Sequence, residues 1–139
     1  MGRIIAIDYG RRRCGIAVTD ILKISANGLP TVETPCLMDW LKNYVANEDV
    51  ERILMGEPRQ TNGLPSENMR RITPFVARIK KELPNIPVEM VDERFTSVIA
   101  HREMIAGGFR KSERQRKGKA DEMSAVIILT SWLDSRSGL

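Results

Sequence analysis

The sequence predicts an α/β fold: a mixed five-stranded sheet, made of a three-stranded antiparallel meander plus two parallel strands, flanked by helices. Three observations carry the prediction. IIAI (4–7) and CGIAV (14–18) are short apolar runs separated by a turn-length segment, the spacing of an antiparallel hairpin. From residue 37 onward, helical periodicity alternates with short apolar runs, the pattern of strand–helix–strand units and parallel strands. A lone carboxylate, Asp8, closes the first run, and sites in such sheets form at the carboxyl ends of parallel strands.

Residues 3–8 read as a buried strand, apolar without alternation. Tyr9–Arg12 is a short turn, and 13–20 the second strand. A third short strand fits Leu29–Thr34, near Pro30 and Pro35. Residues 37–47 form a helix with Leu37, Trp40, Leu41, Tyr44 and Val45 on one stripe. The run 51–58 is a strand that stops at Gly56 and Pro58. TNGLPSEN (61–68) is a loop with an Asn62–Gly63 turn. Ser66 to Leu83 is helical, with Met69, Ile72, Val76, Ile79 and Leu83 at helical spacing; Pro74 should kink or break it. Pro87–Val91 is the fifth strand. Thr96–Ala106 is a helix with Thr96 as N-cap and Gly107–Gly108 ending it. A basic loop, 109–119, leads to a last helix over 120–135. Helical crossovers make the first, fourth and fifth strands parallel.

The 139 residues suit a single domain spanning 1–139, and a 42% hydrophobic share is enough for a core. No apolar run approaches the ~20 residues of a membrane span, so no membrane partner is expected. Met1 leads almost straight into a strand, without the h-region of a signal peptide. Two cysteines give no disulfide framework; Cys14 reads as a small core residue, and the expected compartment is a reducing cytoplasm. With one histidine, a His/Cys zinc site is nearly excluded. A metal here would be a hard cation held by carboxylates. The net charge of +4 concentrates in Arg11–Arg13 and in 110–119, which fits either a polyanion partner or a solvated basic face.

An ionised Asp at the end of a buried strand needs a cation, a donor or water. Asp8 gains company if the topology holds. The fifth strand ends at Asp92, Glu93 and Arg94. On the last helix Asp121 shares a face with Ala125, Ile128, Leu129 and Trp132. That apolar stripe must face the sheet, which carries Asp121 toward the strand ends. Each carboxylate has a simpler reading. Asp121 would complement the helix dipole, Glu93 would pair with Arg94 or cap the next helix, and Asp8 would be a turn aspartate. Together they suggest a site where Mg²⁺ or Mn²⁺ offsets the repulsion. Two such ions ~4 Å apart activate water and stabilise the leaving oxygen of a phosphodiester.

Four separated motifs resemble one family. D-Y-G-x-x-x-x-G-I-A-V-T-D at 8–20, G-x-P with N-G and S-E at 56–67, D-E-R-F-T-S at 92–97 and K-x-D-x-x-S-A-V-I-I-L at 119–129 are similar to the YqgF family. It is also called RuvX, a Holliday junction resolvase-like or pre-ribosomal-RNA nuclease family. The resemblance covers nearly the whole chain in the right order. It implies the RNase H-like fold, a cytoplasmic location and a metal-dependent nuclease acting in 5′-end maturation of the 16S ribosomal RNA precursor. Precursor rRNA is the favoured partner, branched DNA the alternative, with ribosomal particles as a further partner and either a monomer or a homodimer. The implied acidic site is Asp8, Glu93 and Asp121, as catalytic residues and as ligands of Mg²⁺ or Mn²⁺. Arg114, Arg116, Lys117 and Lys119 would face the nucleic acid, with Arg11, Arg12 and Arg94. The sequence departs from the pattern at Glu57, where many relatives carry an apolar residue; at Ile99, in place of the usual capping Glu; and at Pro74. Glu57 is therefore a candidate extra ligand. His101 is read as a surface residue.

Two other classes compete. The opening D-x-G hairpin also resembles the first phosphate loop of actin-like ATPases, but those enclose ATP between two lobes and carry a second such hairpin. A non-catalytic nucleic-acid module would not need carboxylates beside phosphates. Its aromatic residues do not interleave with the basic ones, as base stacking would require.

Overall fold

In the computed structural model, which describes residues 2–23, 25–57, 69–92 and 117–136, the sheet is built on β1 (Arg3–Asp8). Its strand order is β3-β2-β1-β4-β5. β2 (Arg13–Thr19) pairs antiparallel with β1 on one side, and β4 (Val50–Glu57) pairs parallel on the other. β3 (Ala26–Glu33) and β5 (Val88–Asp92) are the outer strands, antiparallel to β2 and parallel to β4 respectively. The meander and the parallel pair therefore stand as the sequence predicts. The chain has the RNase H-like arrangement.

β3 begins earlier than expected, at Ala26 rather than Leu29. Asn27 and Gly28 look like turn residues, but Asn27, Gly28 and Leu29 pair with Val18, Ala17 and Ile16. Cross-strand hydrogen bonding overrides their weak strand preference. Pro30 is tolerated because an outer strand needs only one ladder, and the register of β2 with β3 shifts just there, between Cys14 and Ile16.

Strict alternation along β1 splits its side chains between two cores. Ile5 and Ile7 join Cys14, Ile16, Val18, Ile53 and Met55 on one face. A short 3-10 turn (Thr34–Cys36) leads into α1 (Leu37–Asn47), which covers that face with Leu37, Met38 and Leu41. α2 (Met69–Glu82) adds Ile72, Phe75 and Ile79. Helix α2 continues through Pro74 rather than breaking. The ring is exposed, and the one backbone bond it removes, to the Arg70 carbonyl, is outweighed by burial of Ile72, Phe75 and Ile79 on the helix's inner face. Ile4 and Ala6 point the other way. There they meet Ala17, Leu54 and the stripe Ala125, Ile128 and Leu129 of α3 (Lys117–Arg136). α3 starts at Lys117, inside the stretch expected to be loop; Lys117 and Lys119 lie in its first turn. Ala6, Ala17 and Ala125 are fully buried where α3 crosses the sheet. Small residues let the helix lie close.

The 61–68 loop and the Thr96–Ala106 helix lie outside the described residues. Among the described residues, no helix is long and apolar enough to cross a membrane.

Candidate active site at the carboxyl end of β1

Asp8 is the last residue of β1 and is half-buried. The alternation assigns it a side. Tyr9, one residue on, packs against the α2 core with its ring 5.1 Å from that of Phe75. Burial there raises the phenol pKa, reinforced by Cys14 and opposed by Arg71 and Arg78. Asp8 therefore belongs with Ile4 and Ala6 on the α3 face.

Its lateral neighbours on that face are both glycines. Gly15 pairs with Asp8 in the antiparallel ladder. Gly56 stands one step beyond the Ile7–Met55 pair of the parallel ladder, opposite Val91 of β5. The positions flanking Asp8 across the sheet are thus both glycines, which add no side chain of their own there. Above this floor runs α3. Its Ala125 and Leu129 seal the sheet over Ala6 and Ala17, and position 121 lies one turn earlier on the same helix face.

On β5, Glu89 and Val91 take the α3 side. Trp132 Nε1 donates to Glu89, and Val91 packs on the α3 core. Arg52 ties this corner together, 3.5 Å from Glu89 and with its guanidinium 5.6 Å from the centre of the Trp132 ring. β5 ends at Asp92. Glu93, Arg94, His101, Arg114 and Arg116 lie outside the described residues, as do the side chains of Asp121, Lys117 and Lys119. No group of three or more His, Cys, Asp or Glu is gathered for a metal among the described residues.

Glu57 is placed clearly. It shares the parity of Ile53 and Met55, and it lines a pocket of about 420 Å³ with Met69, Ile72, Val76, Lys80 and Met90. That pocket is on the α2 side, so Glu57 faces away from Asp8. As an extra ligand beside Asp8 it is on the wrong face of the sheet.

The turn between β1 and β2 is held by a residue that sequence reading passed over. Thr34 Oγ1 donates to the carbonyl of Gly10 at 2.8 Å, and Thr34 N–H donates to the carbonyl of Arg12 at 2.9 Å. Cys14 Sγ lies 3.5 Å from the same hydroxyl. Arg11, Arg12 and Arg13 are all exposed. With Thr31, Glu33 and Pro35 they line an open cleft of about 660 Å³.

Comparison with known proteins adds the context. A family model described as "RuvX: Holliday junction resolvase" matches residues 2–135. A protein of Phocaeicola vulgatus named "Putative pre-16S rRNA nuclease" is 57% identical over 136 residues, covering 98% of each chain. A Porphyromonas gingivalis protein of the same name is 52% identical over 135 residues, covering 97% of this chain and 98% of its own. Among solved structures, Thermus thermophilus RuvC in complex with a Holliday junction substrate aligns at a TM-score of 0.60 with 17% identity, covering 99% of this chain and 97% of that one. A second T. thermophilus RuvC structure aligns at 0.53 with 14% identity.

Proposed function

Because the chain belongs to the RuvX family, we propose that it is a metal-dependent nuclease whose substrate is the precursor of 16S ribosomal RNA. The observation that carries the reading is the setting of Asp8. A carboxylate ends the central parallel strand on the α3 face, flanked by Gly15 and Gly56, under the helix that bears Asp121. The sequence reading adds Glu93, the residue that follows β5, as the third carboxylate. Asp8, Glu93 and Asp121 are then three hard oxygen donors of the kind Mg²⁺ and Mn²⁺ prefer. A divalent ion held there supplies charge against the phosphate oxygens and acidifies water.

The protein's own part is placement. β1, paired on both sides up to Ile7 and with Gly15 at Asp8, fixes the Asp8 backbone before substrate arrives. The glycine neighbours leave the phosphodiester room to approach. Arg11 and Arg12, with Arg94, Arg114, Arg116, Lys117 and Lys119, supply positive charge to the nucleic-acid backbone. A cytoplasmic location and ribosomal particles as partner belong to the same reading.

The test is cleavage of a labelled 16S precursor fragment and of a four-way DNA junction, with Mg²⁺, Mn²⁺ or chelator, by wild type and Asp8→Asn. The reading expects metal-dependent cutting of the RNA by the wild type, lowered at least 10²-fold in Asp8→Asn. Cutting of the junction alone would transfer the activity to branched DNA. Equal cutting by both proteins would remove Asp8 from the chemistry.

A further inference from the structure

The geometry points to a second substrate site: the Arg11–Arg13 cleft holds a backbone phosphate of the nucleic acid, within a few nucleotides of the bond that is cut. The inference rests on the nuclease reading above and deepens it by assigning where one arm of the substrate lies.

The cleft has the composition of a phosphate site. Three guanidinium groups, the Thr31 hydroxyl and one carboxylate, Glu33, line about 660 Å³ of open space. Arginine presents planar, always-charged donors that match phosphate oxygens bidentately. A single carboxylate against three arginines leaves the cleft positive. Arg13 lies opposite Glu33 in the β2–β3 ladder, and both are exposed. Arg11 and Arg12 stand out on the turn, exposed.

Its position relates it to Asp8. Cys14, Ile16 and Val18 occupy the α1 face of β2 and Ala17 the α3 face. Arg13 and Gly15 therefore share the α3 face with Asp8. Gly15 lies between them, opposite Asp8 and two residues from Arg13. One strand spacing across and two residues along, extended to the outer strand, make the separation about 8–12 Å. A separation of that size is bridged by a short run of consecutive phosphates, so the two sites engage neighbouring nucleotides of one strand. A nucleic-acid strand with its scissile phosphate at Asp8 thus passes over the bare backbone of Gly15 into the arginines. The two anchoring hydrogen bonds from Thr34 hold the turn in place for it.

The experiment compares wild type with the triple variant Arg11→Ala, Arg12→Ala, Arg13→Ala. A control, Arg70→Ala, Lys80→Ala, Lys81→Ala, removes the same charge from the exposed side of α2. Binding of the labelled RNA is titrated by anisotropy between 50 and 200 mM salt, and turnover is followed at saturating RNA. Circular dichroism confirms that each variant is folded. The cleft variant should bind roughly 10–100-fold more weakly, with a salt exponent smaller in magnitude by about 2, while kcat stays near wild type. The control should keep the wild-type exponent. RNAs shortened to one nucleotide beyond the cut on either side give the second readout. On one side, shortening should bring the wild type to the level of the cleft variant. Equal losses in the cleft variant and the control, or an unchanged exponent in the cleft variant, overturn the assignment. If the wild type itself neither binds nor cuts RNA, the nuclease reading fails first, and this site fails with it.

Discussion

Gly10 sits between the catalytic strand and the arginines, and its replacement tests how tightly that turn is drawn. A Cβ built on Gly10 falls well inside 3.0 Å of the Arg13 carbonyl oxygen, with the Arg13 carbonyl carbon at 3.4 Å and its nitrogen at 3.9 Å. The obstacle is backbone, and it does not swing aside as a long side chain does. The Gly10 and Arg12 carbonyls are moreover held by Thr34, so the turn can open only by releasing those bonds. Overpacking of this kind costs about 1–3 kcal/mol. Against it stands the loss of unfolded-chain entropy when Gly becomes Ala, about 0.4–1 kcal/mol in favour of folding. Gly10→Ala should therefore be destabilised by about 1–2 kcal/mol, a fall in Tm of about 3–8 °C for a chain of this size. Urea unfolding should show a lower midpoint at unchanged slope. Since the turn joins Asp8 to Arg11–Arg13, RNA affinity should fall as well. A Gly10→Ala protein with a wild-type or raised midpoint would refute the steric argument.

The remaining expectations use the same structure. Leu129→Ala empties a fully buried position where α3 meets Ala6 and Ala17, and should cost about 2–5 kcal/mol; a urea-midpoint shift worth under 1 kcal/mol would mean α3 is not packed there. Thr34→Val keeps the volume but leaves the Gly10 carbonyl without its 2.8 Å donor, for an expected loss of about 1–2 kcal/mol and weaker RNA binding, both read against wild type. Lys23 donates to Glu51 at 2.6 Å and, as the leading cause, holds that carboxyl below its ordinary pKa. A depressed pKa stabilises above the unfolded-chain value and is lost as pH falls through the folded one. Both side chains are partly exposed, so Lys23→Ala should cost only about 0.2–1 kcal/mol at pH 7. The gap should close in acid below about pH 4, and a gap independent of pH would exclude the pair as its source.

The parts of the fold legible in the sequence were those whose signal is local. The run 4–7 and the helix 37–47 were bounded well because each carries an uninterrupted pattern, and α1 begins and ends at those residues. The sequence predicts a shorter β3 because Asn27 and Gly28 carry turn chemistry; only their pairing with β2, set by the hairpin, makes them strand. The start of α3 differs from its sequence pattern for a related reason. Lys117, Gly118 and Lys119 read as the end of a basic loop, yet the helix begins at Lys117. Thr34 was invisible, since its partner lies 24 residues away across the β1–β2 turn. No pattern within a window reports such a contact.

Glu57 shows most clearly what pattern alone leaves open. It ends a parallel strand beside β1, as a ligand should, and nearness along the sheet edge made it a candidate. Which face it takes depends on register. Ile7 pairs with Met55, so the residue level with Asp8 on β4 is Gly56, and Glu57 turns toward α2 with Met69 and Lys80. A shift of one residue in that ladder would exchange the two, putting a carboxylate beside Asp8 and a glycine in the α2 core. The register is fixed instead by Leu54, fully buried under α3, and by Ile53 and Met55, fully buried under the other core. The same apolar alternation that makes β4 a central strand thus keeps Glu57 out of the site. Substituting Glu57→Gln should accordingly leave metal-dependent cleavage within about 2-fold of wild type, whereas Gly56→Val, which adds a branched side chain on the Asp8 face, should lower it by 10-fold or more at unchanged metal concentration. The reverse order of effects would mean that β4 meets β1 in the other register.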